Sequence, residues 1–461
     1  MKKSKMFLIL LFLSSITFLT SHFVLETDYF WHIKAGEYMF MNGVLTHDIF
    51  SWFAYGKYWV SHEWLFEVLL YSLKVLFGKY HSIIYIGGCL LFLFSLIIIL
   101  NRNKLSKNIF YTLIYFVLFI ALSLGFIQAR PHLLSFSLVA ISIYLCLDLF
   151  KNKDSKKIYL LPFISILWAN IHGGSSNLSY ILCGVFLICG LIDIRLKKIE
   201  SIRISKKQIY RYLIVLVLCM LGVCVNIHGF KMFIYPYVNI LDTTMINTIL
   251  EWQSTSISNI THWIYYIYVL FIIVTLLLSS KKIRLIDLVL LLFVSYLGFK
   301  SIRFWLYSPI IMSFIIFNYV REIKTSLWVT YVFSIVLVIV CIVGVCSFKQ
   351  IKLTSYLNLN RDVINILKNE EPKRLFNEYD YGGELIYYDI PVFIDGRADL
   401  YSKYNYKDYI DIMSCGKVIY KYDFDYLLMS KKNSLYDCLN KDIYEILYEN
   451  NKLILYKKTV N

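Results

Sequence analysis

The sequence predicts a polytopic α-helical membrane protein of about eleven spans with a small α/β domain at its C-terminal end. Three observations lead there. Hydrophobic residues make up 58% of the 461 residues, more than an ordinary soluble domain carries. Apolar stretches recur at close to the ~20 residues that a helix needs to cross a bilayer. Charged residues are only 17% of the chain yet sum to +16, because Lys and Arg crowd into short connectors. The connectors are 2–5, 102–104, 151–157, 195–211, 281–284 and 321–324, and the positive-inside rule makes them cytoplasmic. The basic balance therefore reports topology and anionic headgroups. It excludes nucleic acid as a partner, since the charge never forms one stripe.

With those connectors inside, the path follows. Residues 6–25 leave the cytoplasm, 82–100 return, 109–127 go out, 133–150 return and 158–168 go out as a short span. Residues 176–194 return, 212–225 exit, 263–278 return, 285–297 exit, 304–320 return and 327–346 exit. The segment Trp64–Phe77 carries Glu67 and Lys74 and is short for a span, so it reads as an interfacial amphipathic helix. Counting it as a span would put Arg102 and Lys104 outside. The first apolar run follows Lys2, Lys3 and Lys5 as a signal peptide would, but no small-x-small cleavage site follows, and it reads as retained. The division is thus a membrane domain at 1–347, whose first external loop is 26–81, and an extracytoplasmic domain at 348–461.

The tail gains Asp, Glu, Asn and Tyr and loses long apolar runs. Segments 373–376, 392–394 and 426–429 read as buried strands, and 446–448 with 453–456 as a terminal hairpin. Helices are expected at 383–388 and 434–439. Of ten cysteines, Cys415 and Cys438 lie in the tail; they could pair, with free thiols the default reading.

The chemistry-bearing residues cluster at span ends. The nine histidines are His22, His32, His47, His62, His81, His132, His172, His228 and His262. They are expected on one membrane face, gathered around an acid near the first span. Three share a setting: Arg130-Pro131-His132, Asn170-Ile171-His172-Gly173 and Asn226-Ile227-His228-Gly229. Asn170, His172, Asn226, His228, His132 and His32 suit hydrogen bonding to sugar hydroxyls or phosphate; the plainer reading is polar helix ends satisfied by their neighbours. Asp28, just past the first span, is a functional acid by its position, and Thr27 or Asp28 equally suits an N-cap. Arg303, Lys300 and Arg130 fall at hairpin ends, where they fit a phosphate or snorkel to headgroups. Asp48, Glu63 and Glu251 are further external acids, and Glu67 is expected to face water. A divalent cation on Asp28, His32 and distant histidines is a weak signal without CxxC or HExxH spacing. No other cofactor is implied.

The run Asp28-Tyr29-Phe30-Trp31-His32 to Gly43, with Asp28 fifteen positions before the glycine, resembles the start of the GT-C glycosyltransferases. The likeness is closest to bacterial lipid A aminoarabinose transferases and protein O-mannosyltransferases. It continues to Leu76-Phe77-Gly78, similar to the usual end of a juxtamembrane helix, and covers the first hundred residues by motif and the rest by topology. Tyr29 stands where those families carry a second acid, so Asp28 alone is carried over. The tail motifs Asn377 to Leu385 and Pro391 to Tyr401 resemble the C-terminal domain of uncharacterised bacterial membrane proteins with GT-C-like cores. There Asp395, Arg397 and Asp399 could grip a sugar or cation, or form an internal pair around Gly396. The resemblance implies transfer of a sugar from a polyprenyl-phosphate donor to an envelope acceptor (glycan, lipid or protein), at the outer face of a bacterial plasma membrane. Asp28 would be the base. A transporter or lipid-glycan flippase and a non-catalytic assembly protein are the other classes open to such a chain.

Overall fold

The computed structural model describes residues 2–21, 26–105, 107–321, 327–347 and 358–459. The chain divides into two compact units. The first takes Met1–Val24, Ser82–Pro236 and Ile249–Ile351; the second takes Leu25–His81, Tyr237–Thr248 and Lys352–Asn461.

The first unit is helical, and its helices fall where the apolar runs predict them. They include Lys2–Ser21, Ile109–Ser123, His132–Lys151, Leu161–Ile171, Leu178–Leu191, Lys206–Val223, Trp263–Leu278, Leu285–Lys300 and Leu327–Ser347. Their starts are legible in the residues. Asn108 caps Ile109–Ser123 through the Tyr111 amide, and Ser205 with Gln208 forms a capping box on Lys206–Val223. Among the described residues, five helices are by length and composition long and apolar enough to cross a membrane: Trp64–Leu105, Ile109–Phe126, His132–Lys151, Gly173–Leu191 and Ile260–Leu278. Phe7–Ser21, Lys157–Ile171, Ile302–Asn318 and Tyr331–Val340 are apolar but shorter. Leu270, Leu277 and Leu278 stand exposed on Trp263–Leu278, as on a helix whose outer face meets lipid.

One expectation changes here. The stretch from 304 to 320 is broken into Tyr307–Ser313 and a 3-10 turn at Ile316–Asn318. Pro309 sits in the first turn of Tyr307–Ser313, the one place where a missing N–H costs no helical hydrogen bond. Trp64–Phe77 and His81–Leu105 adjoin through Gly78, whose φ of 52° turns the chain. Their combined 42 residues are about twice what a span needs.

In the second unit the loop 26–81 folds together with the tail. The tail's first ten residues, 348–357, lie outside the described residues. Its sheet has four strands. Leu375–Asn377 pairs in parallel with Tyr426–Ser430, and Leu453–Lys458 runs antiparallel between Tyr426–Ser430 and Tyr444–Glu449. The terminal hairpin is as expected. The expected strand at 392–394 does not form. Val392 instead bridges Ser51, and the Asn377 side chain takes the place of a neighbouring strand. It accepts from the Phe393 amide at 2.9 Å and donates to the Ile394 carbonyl at 2.7 Å. Helices Arg361–Glu370 and Tyr406–Met413 were not anticipated. Cys415 and Cys438 form a disulfide, which corrects the default reading of free thiols.

Candidate functional site

Asp28 opens helix Asp28–Asn42, which Gly43 ends at a φ of 89°. Thr27 makes no side-chain cap bond, so the acid's place is the first turn, where amide dipoles favour negative charge. The helix carries Asp28 and His32 one turn apart on one face, and Trp64–Phe77 places Glu67 one turn after Glu63. The helices meet closely at Gly36, where a Cβ would lie 2.1 Å from the Glu67 carbonyl oxygen. No side chain larger than hydrogen fits there.

That approach builds a buried chain of acids and imidazoles. His32 is fully buried; its Nδ1 lies 3.0 Å from Glu67 Oε1 and its Nε2 lies 3.6 Å from Glu63 Oε2. The other Glu63 oxygen is 3.0 Å from His62 Nε2. Trp31 lies tilted against His32 at 3.7 Å between ring centroids, and Phe66 meets it edge-on at 5.2 Å. Glu67, expected to face water, is fully buried, and its Oε2 has no hydrogen-bond partner. Burial pushes its carboxyl well above the usual range, helped by Glu63 and Asp399 and opposed by Arg397. Burial disfavours charge on His62, but Glu63 and Asp399 outweigh it and hold that imidazole's pKa above the ordinary value.

The tail closes on the same cluster. A Cβ on Gly396 would lie 1.7 Å from Asp28 Oδ1 and 2.9 Å from Trp31 Nε1, so the Asp28 carboxylate rests against bare backbone. A Cβ on Gly383 would lie 2.1 Å from the Thr27 carbonyl oxygen. Asp395 and Arg397 form an internal pair, the arrangement that one of the two sequence readings describes. Arg397 donates to Asp395 from Nε at 2.8 Å and Nη2 at 2.6 Å, and to Asp48 from Nη1 at 2.5 Å. Its guanidinium also packs over Trp59 and Phe50. Burial would raise the Asp48 pKa, but Arg397 and Ser51 hold it below the usual value. Asp399 is buried beside this pair, and its charge acts on His62 and Glu67.

The remaining candidates lie in the first unit. Arg303 Nη2 is 3.4 Å from His172 Nε2, and its guanidinium packs over Trp252 at 5.2 Å. His172 Nδ1 faces the hydroxyls of Ser135 and Ser175 at 2.7 and 2.9 Å, which fits a proton on Nδ1 and an accepting Nε2. Arg130 is bound to Glu251 at 2.6 Å, and His132 Nε2 to the Phe126 carbonyl at 2.8 Å. Burial would raise the Glu251 carboxyl, but Arg130, Arg303 and His132 bring it down to about 2. Lys300 is exposed at the end of its helix. The two Asn-Ile-His-Gly motifs meet: Asn226 Nδ2 donates to Asn170 Oδ1 at 3.0 Å and to the Ala169 carbonyl at 3.1 Å. Asn170 donates to the carbonyls of Ile166 and Val225. These amides join helix ends, and His228 beside them is buried.

His32 and His62 meet Glu63 and Glu67, whereas His172 meets two serines and Arg303. His81 bonds Tyr29 and the Gly78 carbonyl, and His22 lies outside the described residues. No protein-family model matches this chain, and the comparison with curated proteins finds no match.

Proposed function

We propose that this chain is an integral-membrane glycosyltransferase of GT-C type. It would transfer a sugar from a polyprenyl-phosphate donor to an envelope acceptor on the outer face of a bacterial plasma membrane. The observation that carries the reading is the Asp28 carboxylate. It is held at a helix start against Gly396, buried beside an aromatic wall, and attached to the segment that directly follows an apolar helix. A preset carboxylate of that kind suits a general base for an acceptor hydroxyl.

Charge develops on the leaving phosphate in such a transfer, and cations stabilise it. Arg303 is the leading candidate. Among the described residues its partners are an aromatic face and the His172 Nε2 nitrogen, with no carboxylate in direct contact, whereas Arg130 spends one donor on Glu251. Lys300, His132, His172 and His228 serve the reading as further polar groups for donor phosphate or sugar. Asn170 and Asn226 shape the loops that carry the histidines.

Two observations support the assigned topology of about eleven spans with an external tail. The loop after the first apolar helix and the tail fold into one unit, tied by Arg397–Asp48 and by the Ser51–Val392 bridge. They therefore share a membrane face, which requires an even number of crossings between them, as the charge-based path has. A disulfide between Cys415 and Cys438 suits an oxidising compartment outside the cytoplasm.

Mass spectrometry of envelope glycans, lipids and glycoproteins from cells with and without the protein tests the proposal. A sugar that disappears with the protein and returns with the wild-type gene, but not with Asp28→Asn, is the expected result. Unchanged envelope material would refute the reading, and altered transbilayer movement of a lipid-linked glycan would move it to a flippase.

A further inference from the structure

We propose that His32, Glu63 and Glu67 hold a divalent first-row transition cation, Zn²⁺ or Mn²⁺, in the buried core of the second unit. Each residue offers one ligand atom, and these atoms all lie within 4.8 Å of one another. All three residues are buried. The donor set, one imidazole nitrogen and two carboxylate oxygens, is of the kind that binds such cations at about 2.0–2.2 Å. Ligand atoms around a tetrahedral ion stand about 3.3 Å apart, so the widest pair would close by a small rotation of a glutamate side chain.

Two further observations point to a cation. The first is Glu67 Oε2, buried without a hydrogen-bond partner. A carboxyl oxygen left bare in a protein interior is costly, and a metal ion bound there removes that cost. The second is charge balance. The buried cluster contains the carboxyls of Asp28, Asp48, Glu63, Glu67, Asp395 and Asp399, against the guanidinium of Arg397 and the imidazoles of His32 and His62. Even with both imidazoles charged, the acids exceed the cations, and a divalent ion offsets most of the difference. The surroundings also suit a ligand set. His62 bonds the far oxygen of Glu63, and the Trp31 and Phe66 rings fix the His32 plane, as outer contacts orient metal ligands. Three protein ligands leave a position open for water or a substrate oxygen.

The proposal stands apart from glycosyl transfer, because metal content is measured without substrate. The full chain, purified in detergent, is analysed by elemental mass spectrometry, then stripped with chelator and titrated with Zn²⁺, Mn²⁺ and Co²⁺. One equivalent per chain is expected, with affinity reduced at least about tenfold in Glu67→Gln and unchanged in Glu37→Gln, whose side chain on the helix of His32 is 40% exposed. Co²⁺ uptake by the stripped wild type, read from its visible absorption, needs no variant to fold. Wild type that binds none of the three ions, or Glu67→Gln that binds as tightly as wild type, overturns the site. The first result would leave His32 held between two glutamates with no ion.

Discussion

Replacing Gly396 with alanine separates the positioning of Asp28 from the stability of the fold. The new methyl carbon would lie 1.7 Å from Asp28 Oδ1 and 2.6 Å from its Cγ, with Trp31 Nε1 at 2.9 Å. Non-bonded carbon and oxygen stand about 3.2 Å apart, so the carboxyl must retreat by about 1.5 Å. Asp28 can do this by changing rotamer, at about 0.5–1.5 kcal/mol, which keeps the stability loss near the low end of the ~1–3 kcal/mol seen for overpacking. The catalytic loss is larger. A displacement of about 1 Å at a reacting group costs on the order of 100-fold in rate. Gly383→Ala is the contrast. Its Cβ would meet the Thr27 carbonyl oxygen at 2.1 Å, and backbone cannot swing aside, so about 3 kcal/mol of stability should go. Thermal unfolding of the purified chain and sugar transfer by the same samples give the two readouts. Gly396→Ala with wild-type turnover would refute the claim that this contact sets the Asp28 carboxylate.

Arg303→Ala should lower kcat/KM for the lipid-phosphate donor by about tenfold to a hundredfold, the value of a lost hydrogen bond to a charged group. Arg303→Lys should fall between, and unchanged donor kinetics in Arg303→Ala would remove Arg303 from the phosphate role. Cys415→Ser opens a disulfide that joins residues 23 positions apart, a loss of about 3 kcal/mol, so its Tm should fall and reducing agent should then have no further effect. Glu384 is buried and holds its proton up to about 7, although the amides of Asn358 and Leu359 favour its ionised form. An unfolded glutamate releases its proton near 4.3, so Glu384 favours the fold fully below that pH. As pH rises to about 7 that contribution falls by about 3 kcal/mol. Glu384→Gln should flatten this part of the pH–stability curve, read by thermal unfolding between pH 4 and 8.

Much of the helical framework was legible because apolar runs bounded by Lys and Arg leave few alternatives. The helix Asp28–Asn42 and its stop at Gly43 could be read the same way, from spacing and a glycine that reaches positive φ. The cluster around His32 could not. Its partners Glu63 and Glu67 sit on another helix, and Arg397 reaches Asp48 across 349 residues of sequence. Periodicity reports which face of a helix is apolar, not which second helix covers it. One signal was present: Asp28 with His32, and Glu63 with Glu67, are each one turn apart, so each helix offers two polar groups on one face. In the tail motif Asp395-Gly396-Arg397 the internal pair was one of two readings open from the sequence, whereas the part of the glycine was not legible, because it depends on Asp28 occupying the space a side chain would need.

The most direct test of the account is sugar transfer by purified wild type and Asp28→Asn. Label would be followed from a tritiated undecaprenyl-phosphate sugar into envelope material prepared from cells lacking the protein. The account predicts transfer by wild type and a fall of about 10²–10⁴ in the variant, with its Tm and donor binding close to wild type. Wild-type turnover in Asp28→Asn would contradict it.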